Sequence, residues 1–587
     1  MMKEDQVNDV IQRWRDTPEE DLKSEDYEQM KTLGFACLAE DNSALLLQCI
    51  QDEKNQGILK SMGFVLIVPV VSELAKKRKS AENCQAATTH LIEICKTQEV
   101  LQSLLALIED IGPGGISDNI TAVVPHLKTV LFQLDHNKAT YVGLALSALQ
   151  RHLARLPVPY TQQQEEADEY GLCSCCTAVA EFTKSVVEEV TKKDGTYGST
   201  TEDEELKTEL LKFCIKSLRE PLLEAELNQG RKSSLWFFAT QILVTLPAVQ
   251  QPLSDLLFFD SLKKRVQIDN SHSKESKACL SYLLFVQLIT IDSFPAVFSP
   301  VFVLQCNMDY INELLSSKKE SHLRKGLALY AKCLESVQDN SLTVSLLELQ
   351  SFYTVPQNLR QVLTDCPMQH VRETGLGVFQ LFINKLDAEA KHRFFRCMLK
   401  TSHHAGVESF IIKNIKSQVD FSMKPSNATK WFLGTEFLSL LEPVLCLPQG
   451  AETDLLNSMD RIMETLNLLR YLLIRDVKLR GTDLWEGLCR IKDNYLKMLR
   501  VCINLSRAYY SVELQTLKND KKLKVKEDRD AARAMALVKS IKPKMASNTS
   551  LEVQHQVLQS ALVTFDLMES LIVRIEELTE EKLKTPD

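Results

Sequence analysis

Glycine and proline are scarce in this chain. They supply 19 and 18 of 587 residues, about 3% each against roughly 7% and 5% in average proteins. So few turn residues cannot serve the many hairpins of a β-sandwich or barrel, and the composition predicts a mostly helical protein. The chain also lacks the Walker A, HExxH, GxSxG and dinucleotide-binding GxGxxG motifs. These absences argue against an enzyme, and we expect no catalytic residues and no cofactor.

An excess of positive charge is also missing. The net charge of -9 disfavours nonspecific binding to nucleic acid, since a phosphate backbone selects basic surfaces. The first residues have no apolar core, which argues against a signal peptide. The longest apolar window, residues 281–304, is interrupted by Asp292, Pro295 and Pro300. We therefore expect two buried helices joined by a turn there, and no membrane segment.

The sixteen cysteines are scattered singly through helical patterns, which is typical of buried free thiols in a reducing compartment. Cys173 and Cys176 form a CxxC, but a redox motif needs a strand–turn–helix context and a zinc site needs a second ligand pair. Cys397 with His403 and His404 could suggest a metal site or a Cys–His nucleophile. No orienting carboxylate is apparent, and loop or surface histidines are the favoured interpretation.

Helical periodicity runs from end to end, as at Leu101, Leu104, Leu105 and Ile108. Short turns separate the periodic stretches and predict antiparallel helix pairs, which in a long series form a solenoid. No fixed-period repeat is visible. We therefore predict an all-α fold, an irregular HEAT/armadillo-like helical repeat solenoid. The expected regions are N-terminal repeats over 1–300 and C-terminal repeats over 301–587.

Three polar segments are predicted to be loops or mobile linkers: 162–169, an acidic linker near 191–205, and a basic mobile segment near 518–544. The basic segment holds ten Lys/Arg against four Asp/Glu. It fits either an import or anion-binding patch or a solvated linker with a basic helix face, and the second is favoured. The apolar run 62–71 has a strand-like composition, but a lone strand would lack a partner, so a buried helix is predicted.

The stretch 450–473 divides most sharply into two faces. Ile462, Leu466, Leu469 and Leu473 form one apolar stripe on a helix. Polar side chains repeat on the opposite face: Asp460, Glu464, Asn467 and Tyr471. The last third of the chain is also rich in Trp, Tyr and Arg, the residues enriched in binding hot spots. This set comprises Trp431, Arg461, Arg470, Tyr471, Trp485, Arg490, Tyr495, Tyr509 and Tyr510.

Several long strings resemble the glomulin family. They are NKATYVGLALSAL (137–149), LPVPY (156–160), YGLCSCC (170–176), FINKLDAEAKHRFFRCMLKTSHHAGVESFIIKNIKSQ (382–418), GAETDLLNSMDRIMETLNLLRYLL (450–473) and SALVTFDLMES (560–570). They cover nearly the whole length. The chain departs most from the family at 253–277, 191–205 and 515–547, and nothing is transferred there.

The resemblance implies a HEAT-like repeat regulator of cullin–RING ubiquitin ligases. Its C-terminal repeats would bind the RING-box subunit and cover the surface where the ubiquitin-conjugating enzyme docks. Burial of roughly 800 Å² over that surface would exclude a second protein by sterics alone. The expected partners are therefore the RING-box subunit and the cullin, and the resemblance adds an immunophilin and a receptor tyrosine kinase. The expected location is the cytoplasm, and also the nucleus if the basic segment is an import signal.

The candidate contact residues lie in two stretches. Lys413 and Lys416 share a helix face at i, i+3, with Ile411, Ile412 and Ile415 on the buried side. The remaining candidates follow: Trp431, Arg461, Asn467, Arg470 and Tyr471. The alternative for each is a role in capping a helix or linking neighbouring repeats. The alternative function is a HEAT/armadillo-type transport receptor or general interaction scaffold, for which a longer and more regular repeat would be expected.

Overall fold

The computed structural model describes residues 11–15, 17–76, 80–112, 114–194, 200–228, 230, 233–249, 251–259, 270–475, 484–535 and 548–584. These residues contain no β-strand; a single parallel bridge joins Leu342 to Leu386. The predicted all-α class is confirmed. The chain divides into two compact units, Met1–Ser336 and Val337–Asp587. This boundary differs from the expected one, because the two helices of residues 300–335 belong to the first unit.

Unit 1 consists of helices with short connections. They are α1 (Ser24–Ala39), α2 (Ser43–Gln51), α3 (Gln56–Met62), α4 (Ile67–Ala75), α5 (Ala81–Ile94), α6 (Thr97–Glu109), α7 (Ile116–Phe132), α8 (Lys138–Leu153), α9 (Gln162–Ala167), α10 (Leu172–Asp194), α11 (Thr201–Arg219), α12 (Ser234–Ala248), α13 (Asn270–Phe285), α14 (Pro300–Leu315) and α15 (Glu320–Glu335). Shorter 3-10 turns occupy Glu19–Asp21, Glu53–Asn55, Gly63–Leu66 and Ile291–Ser293, and a π-turn Asp255–Phe259.

Unit 2 continues in the same way. Its helices are α16 (Gln350–Asp365), α17 (Gln369–Lys385), α18 (Ala388–Thr401), α19 (Ala405–Ser422), α20 (Lys430–Leu433), α21 (Glu436–Val444), α22 (Met459–Ile474), α23 (Leu484–Met535) and α24 (Asn548–Lys584). Short 3-10 turns lie at Val344–Glu348, Pro425–Asn427 and Gly450–Glu452. The predicted amphipathic helix of 450–473 therefore begins only at Met459.

The packing is that of an irregular helical repeat. The first residues of α8 and α11 meet, where the Lys138 backbone N–H donates to the Glu202 carboxylate at 2.7 Å. Their last turns also meet, where the Ser217 hydroxyl donates to the Gln150 amide oxygen at 2.8 Å. Contacts at matching ends make the two helices parallel, as equivalent helices of successive repeats are in a solenoid. Throughout the described residues, the main helix contacts join elements at most three helices apart.

Buried apolar side chains follow the predicted periodicity. Leu101, Leu104 and Ile108 are fully buried, as are Ile462, Leu466, Leu469 and Leu473 apart from 1% exposure of the first. The run 62–71 forms a 3-10 turn followed by α4, so the buried helix is confirmed and the strand is absent. The start of α14 shows an ordinary cap, in which the Ser299 hydroxyl accepts the Phe302 backbone N–H. Pro300 follows Ser299, and its missing N–H has no cost because the first N–H groups of a helix have no partner within the helix.

Two of the predicted linkers are wrong in part. Thr161 forms a capping box with Gln164 that starts a short helix, Gln162–Ala167, in place of the loop at 162–169. Helix α23 runs through 518–535, because Lys- and Glu-rich sequence without Gly or Pro favours helix. Residues 536–544 lie outside the described residues. In the acidic linker, α10 extends to Asp194 and α11 begins at Thr201, and 195–199 lie outside the described residues.

The apolar window 281–304 is divided as predicted: α13 ends at Phe285 and α14 begins at Pro300. Two other helical stretches among the described residues, Glu53–Ala75 and Gln556–Glu580, have the length and composition to cross a membrane. In these two, 56% and 28% of the apolar window is buried inside the protein. Length and composition alone are weak evidence for a membrane span, since the core helix of a soluble protein meets the same criteria.

Candidate protein-interaction site

The candidate site is built on α19 and α22, which pack together and run parallel. At one end, the Arg461 guanidinium of α22 pairs with the Glu408 carboxylate of α19 at 3.1 Å. At the other end, the Tyr471 phenol donates to the Asp420 carboxylate at 2.5 Å. These two contacts are ten or more residues apart on each helix, so they fix both the direction and the register of the pair. The buried sides are the predicted apolar ones, including Ile411, Ile412 and Ile415.

The outward side of this pair carries a group of basic side chains around Tyr471. The Lys416 ammonium lies 5.3 Å from the centre of the Tyr471 ring, and the Arg475 guanidinium lies 6.0 Å from it. Partial burial, together with the hydrogen bond to Asp420, raises the pKa of the Tyr471 phenol. We call this surface the basic face; it comprises Lys413, Lys416, Lys424, Arg470, Tyr471 and Arg475.

Most of the predicted contact residues fall on these two helices. Lys413 and Arg470 are exposed, and Lys416, Asn467 and Tyr471 are half-buried. Lys416 and Tyr471, more than fifty residues apart in the sequence, are in contact across the two helices, and Lys413, Asn467 and Arg470 lie on the same helix pair. Trp431 lies elsewhere, on the short helix α20. Its half-buried ring packs against the His392 ring, with the two centres 5.3 Å apart.

Arg461 is not a surface residue. Its side chain is 9% exposed, and its Glu408 partner is 7% exposed. Its guanidinium also donates to the carbonyl oxygens of Pro443 and Cys446, at 2.8 and 2.9 Å. The prediction that Arg461 contacts a partner is therefore wrong, and the alternative considered for it, a link between neighbouring repeats, describes its contacts.

A second surface, on α23, was missed as a set in the sequence. Five large apolar side chains along this helix are exposed: Met498, Val501, Leu505, Tyr509 and Val512, by 43, 49, 55, 64 and 64%. Their successive spacings are three, four, four and three residues, and the exposed Ala508 lies beside Tyr509. This spacing places them on one side of the helix. We call this surface the apolar stripe.

Other sides of α23 are occupied. Arg500 pairs with Glu576 of α24 at 2.6 Å, and Arg507 with Glu569 at 2.7 Å. The Cys502 thiol donates to the Thr453 carbonyl at 3.2 Å, and Tyr495 is buried. The apolar stripe therefore remains on a helix whose other sides already pack within unit 2. The sequence signal for this stripe is a second apolar arc, because one arc is enough to bury a helix against its neighbours.

The other functional candidates from the sequence are cysteines and histidines. Among the described residues, no group of three or more His, Cys, Asp and Glu has a geometry that could hold a metal ion. All sixteen cysteines are free thiols. Burial raises the pKa of the Cys175 thiol to about 12, and that of Cys176 well above its ordinary value. The CxxC cysteines, Cys173 and Cys176, are both buried in α10, so they are helix-core residues, as favoured from the sequence.

The histidines near Cys397 are explained locally. His403 and His404 are both exposed. The His404 ring Nδ1 accepts the Val407 backbone N–H at 3.4 Å and so caps the start of α19.

Comparison with known proteins gives a family. The profile of the family described as "Uncharacterised protein family, YAP/Alf4/glomulin" matches residues 1–560. Human glomulin (Homo sapiens) is 42% identical over 597 aligned positions, which cover 99% of this chain and 98% of the relative. The chain belongs to the glomulin family. Mouse glomulin (Mus musculus) is similar at 41% identity, again over 99% of this chain and 98% of the relative.

One solved structure also aligns with this glomulin-family chain. It is a circular tandem repeat protein with novel repeat topology and enhanced subunit contact surfaces, at 11% identity and a TM-score of 0.15. The alignment covers 99% of this chain and 100% of the other. A TM-score this low carries no argument about the fold, which rests on the helices and contacts described above.

Proposed function

We propose that this glomulin-family protein is a non-catalytic regulator of cullin–RING ubiquitin ligases, acting in the cytoplasm. Unit 2 binds the RING-box subunit and covers the surface on which the ubiquitin-conjugating enzyme docks. Ubiquitin transfer then stops because two proteins cannot occupy one surface. The proposal needs affinity and shape, and it assigns no residue a catalytic role.

The apolar stripe is the observation that carries the proposal. A RING domain presents its conjugating enzyme with a shallow apolar groove, and a straight helical ridge of Met, Val, Leu and Tyr is complementary to such a groove. From Met498 to Val512 the ridge is about 21 Å long, at about 1.5 Å per residue. Burial of these side chains is favourable by roughly 25 cal/mol for each Å² removed from water, and the large exposed fractions leave much area to bury.

The basic face supplies the polar part of the proposed interface. Lys413, Lys416, Asn467, Arg470 and Tyr471 remain the proposed contacts there, and Trp431 is proposed as a contact at its own helix. Protein interfaces commonly combine an apolar centre with a polar rim. In this proposal, the stripe covers the RING groove and the basic face meets the neighbouring surface of the RING-box subunit or the cullin.

The test is ubiquitin-chain formation by a purified cullin–RING ligase with its conjugating enzyme, titrated with the full-length protein. We expect inhibition to be complete near one equivalent and to be relieved by excess conjugating enzyme. The variant Leu505→Asp places a charge in the centre of the stripe and should abolish inhibition. Leu144→Asp is the matched control, because Leu144 is exposed to a similar degree, 52% against 55%, in unit 1.

Two results would contradict the proposal. Absence of inhibition by the parent protein at large excess would remove the ligase function and leave a transport receptor or interaction scaffold as the better explanation. Equal loss of inhibition in Leu505→Asp and Leu144→Asp would remove the assignment to the stripe.

A further inference from the structure

The basic face concentrates positive charge in an acidic protein. Unit 2 neutralises many of its cations internally, as in the pairs Arg393–Glu389 at 2.9 Å and Arg574–Glu577 at 2.9 Å. On the basic face, Lys413, Arg470 and Lys424 are exposed, and none of them forms an ion pair with another described residue. The whole chain has a net charge of -9, so this local excess is opposite in sign to the protein that bears it.

Asp420 is the carboxylate that contacts Tyr471, and it is already engaged. Asp460 and Glu464 lie two to three turns earlier on the same side of α22. Asp420 accepts the hydrogen bond of the Tyr471 phenol, and this bond holds the ring close to Lys416 and Arg475. A cation over an aromatic ring keeps its charge and its donors, because the ring offers no carboxylate to accept them. The face therefore presents N–H donors close to an aromatic ring that is held in place.

Compensation of helix dipoles does not account for these cations. Basic side chains stabilise the last turn of a helix, and the effect falls off beyond that turn. Arg475 caps α22, so its position fits that role. Lys413 lies more than two turns before the end of α19 at Ser422, where a positive charge has little to gain from the dipole.

We propose that the basic face binds an acidic segment of the cullin–RING-box assembly. Carboxylates of that segment pair with Lys413, Lys416 and Arg470, and an apolar or aromatic side chain beside them packs on Tyr471. This inference rests on the proposed function for the identity of the partner. Charge complementarity of this kind raises association rates and fixes orientation, while the apolar stripe supplies the burial.

The experiment is calorimetric titration of the full-length protein with a purified cullin–RING-box complex at low and at high salt. The double variant Lys413→Glu/Arg470→Glu is expected to bind about tenfold more weakly at low salt, ~1.4 kcal/mol. Its affinity should also depend less on salt than that of the parent, since exposed pairs are screened. Lys128→Glu is the matched control, because Lys128 is exposed on α7 in unit 1; it should bind as the parent does.

Competition identifies the chemistry of the segment. Poly-L-glutamate is expected to displace the complex from the parent and from Lys128→Glu, and to displace it less from the double variant. Tighter competition by duplex DNA than by poly-L-glutamate would overturn the inference in favour of a nucleic-acid surface.

The two proposals fail in different ways. If the parent does not bind the complex at all, the proposed function fails. If the parent binds and the double variant binds equally well with the same salt dependence, the function stands and the acidic-segment inference fails. Melting of each variant by circular dichroism is the check on folding, and these exposed substitutions should leave it unchanged.

Discussion

Replacement of Arg461 by alanine should unfold unit 2 at a markedly lower temperature. The substitution leaves the Glu408 carboxylate buried without its partner at 3.1 Å, and removes the donors that reach Pro443 and Cys446. Loss of one partner of a buried ion pair typically costs about 3–5 kcal/mol. Both side chains are less than a tenth exposed, so solvent offers little relief and we take about 4 kcal/mol. For a unit of this size, each kcal/mol lowers Tm by roughly 2–4 °C, which predicts a fall of about 12 °C.

Differential scanning calorimetry of the full-length protein measures this change, with Lys413→Ala as control. The control removes an exposed side chain from the same helix pair and should change the free energy of unfolding by no more than about 0.5 kcal/mol. Replacing both partners, by Arg461→Met with Glu408→Leu, should cost less than Arg461→Ala alone, because no buried charge is left.

The opposite pattern would refute the reasoning. If Arg461→Ala melts like the parent but loses ligase binding, Arg461 is a contact residue, as the sequence first indicated, and the buried pair contributes little.

Three further predictions concern thiols, pH and the division of the chain. Iodoacetamide at mildly alkaline pH should label exposed Cys446 before Cys175, whose burial raises its pKa to about 12, and mass spectrometry of peptides measures the order; equal rates would contradict the buried assignment. Hydrogen bonds from His322, Lys319 and Ser321 lower the pKa of the Glu224 carboxyl below its ordinary value of 4.5. The resulting stability is present above that pH and is lost as the pH falls below it. Denaturant titration should therefore show that Glu224→Gln is less stable than the parent at pH 7, and that this difference in stability shrinks in acid. A difference that persists unchanged in acid would refute this. A fragment of residues 1–336 should fold cooperatively by circular dichroism yet show no binding to a cullin–RING-box complex, because repeat contacts are local; full binding would move the site to unit 1.

Much of the fold could be predicted because helical periodicity is a local signal. Ile462, Leu466, Leu469 and Leu473 are spaced for one buried side, and each is buried. The outward positions of Asn467 and Tyr471 follow from the same spacing. The location of five candidates on the non-core sides of one helix pair has the same origin, since the exposed sides of α19 and α22 are fixed by their apolar sides. Whether those residues contact a partner stays a prediction.

Arg461 shows what local spacing cannot give. On a helical wheel it falls beside the apolar arc, where the sequence alone allows either an exposed cation or a buried pair. Its partner Glu408 lies 53 residues earlier. The available signal was that Glu408 also falls within the apolar arc of its own helix. Two opposite charges, each interrupting a buried side, indicate a buried ion pair once the two helices are known to be neighbours.

The helix 518–535 was missed for a different reason. A dense run of charge is typical of a solvated linker, but a chain without Gly or Pro keeps its helical propensity when it is highly charged. The apolar stripe was missed because a helix with a buried side is expected to be polar elsewhere.

The pairing of Glu408 with Arg461 also bears on the order in which the chain is made. A ribosome adds about 5–20 residues each second, so several seconds separate the emergence of the two residues. During that interval α19 has no counter-ion for a carboxylate that its folded neighbours would enclose. The start of unit 2 therefore cannot close fully until α22 has left the exit tunnel, and a chain stalled between the two residues would expose the isoleucines of α19 to chaperones.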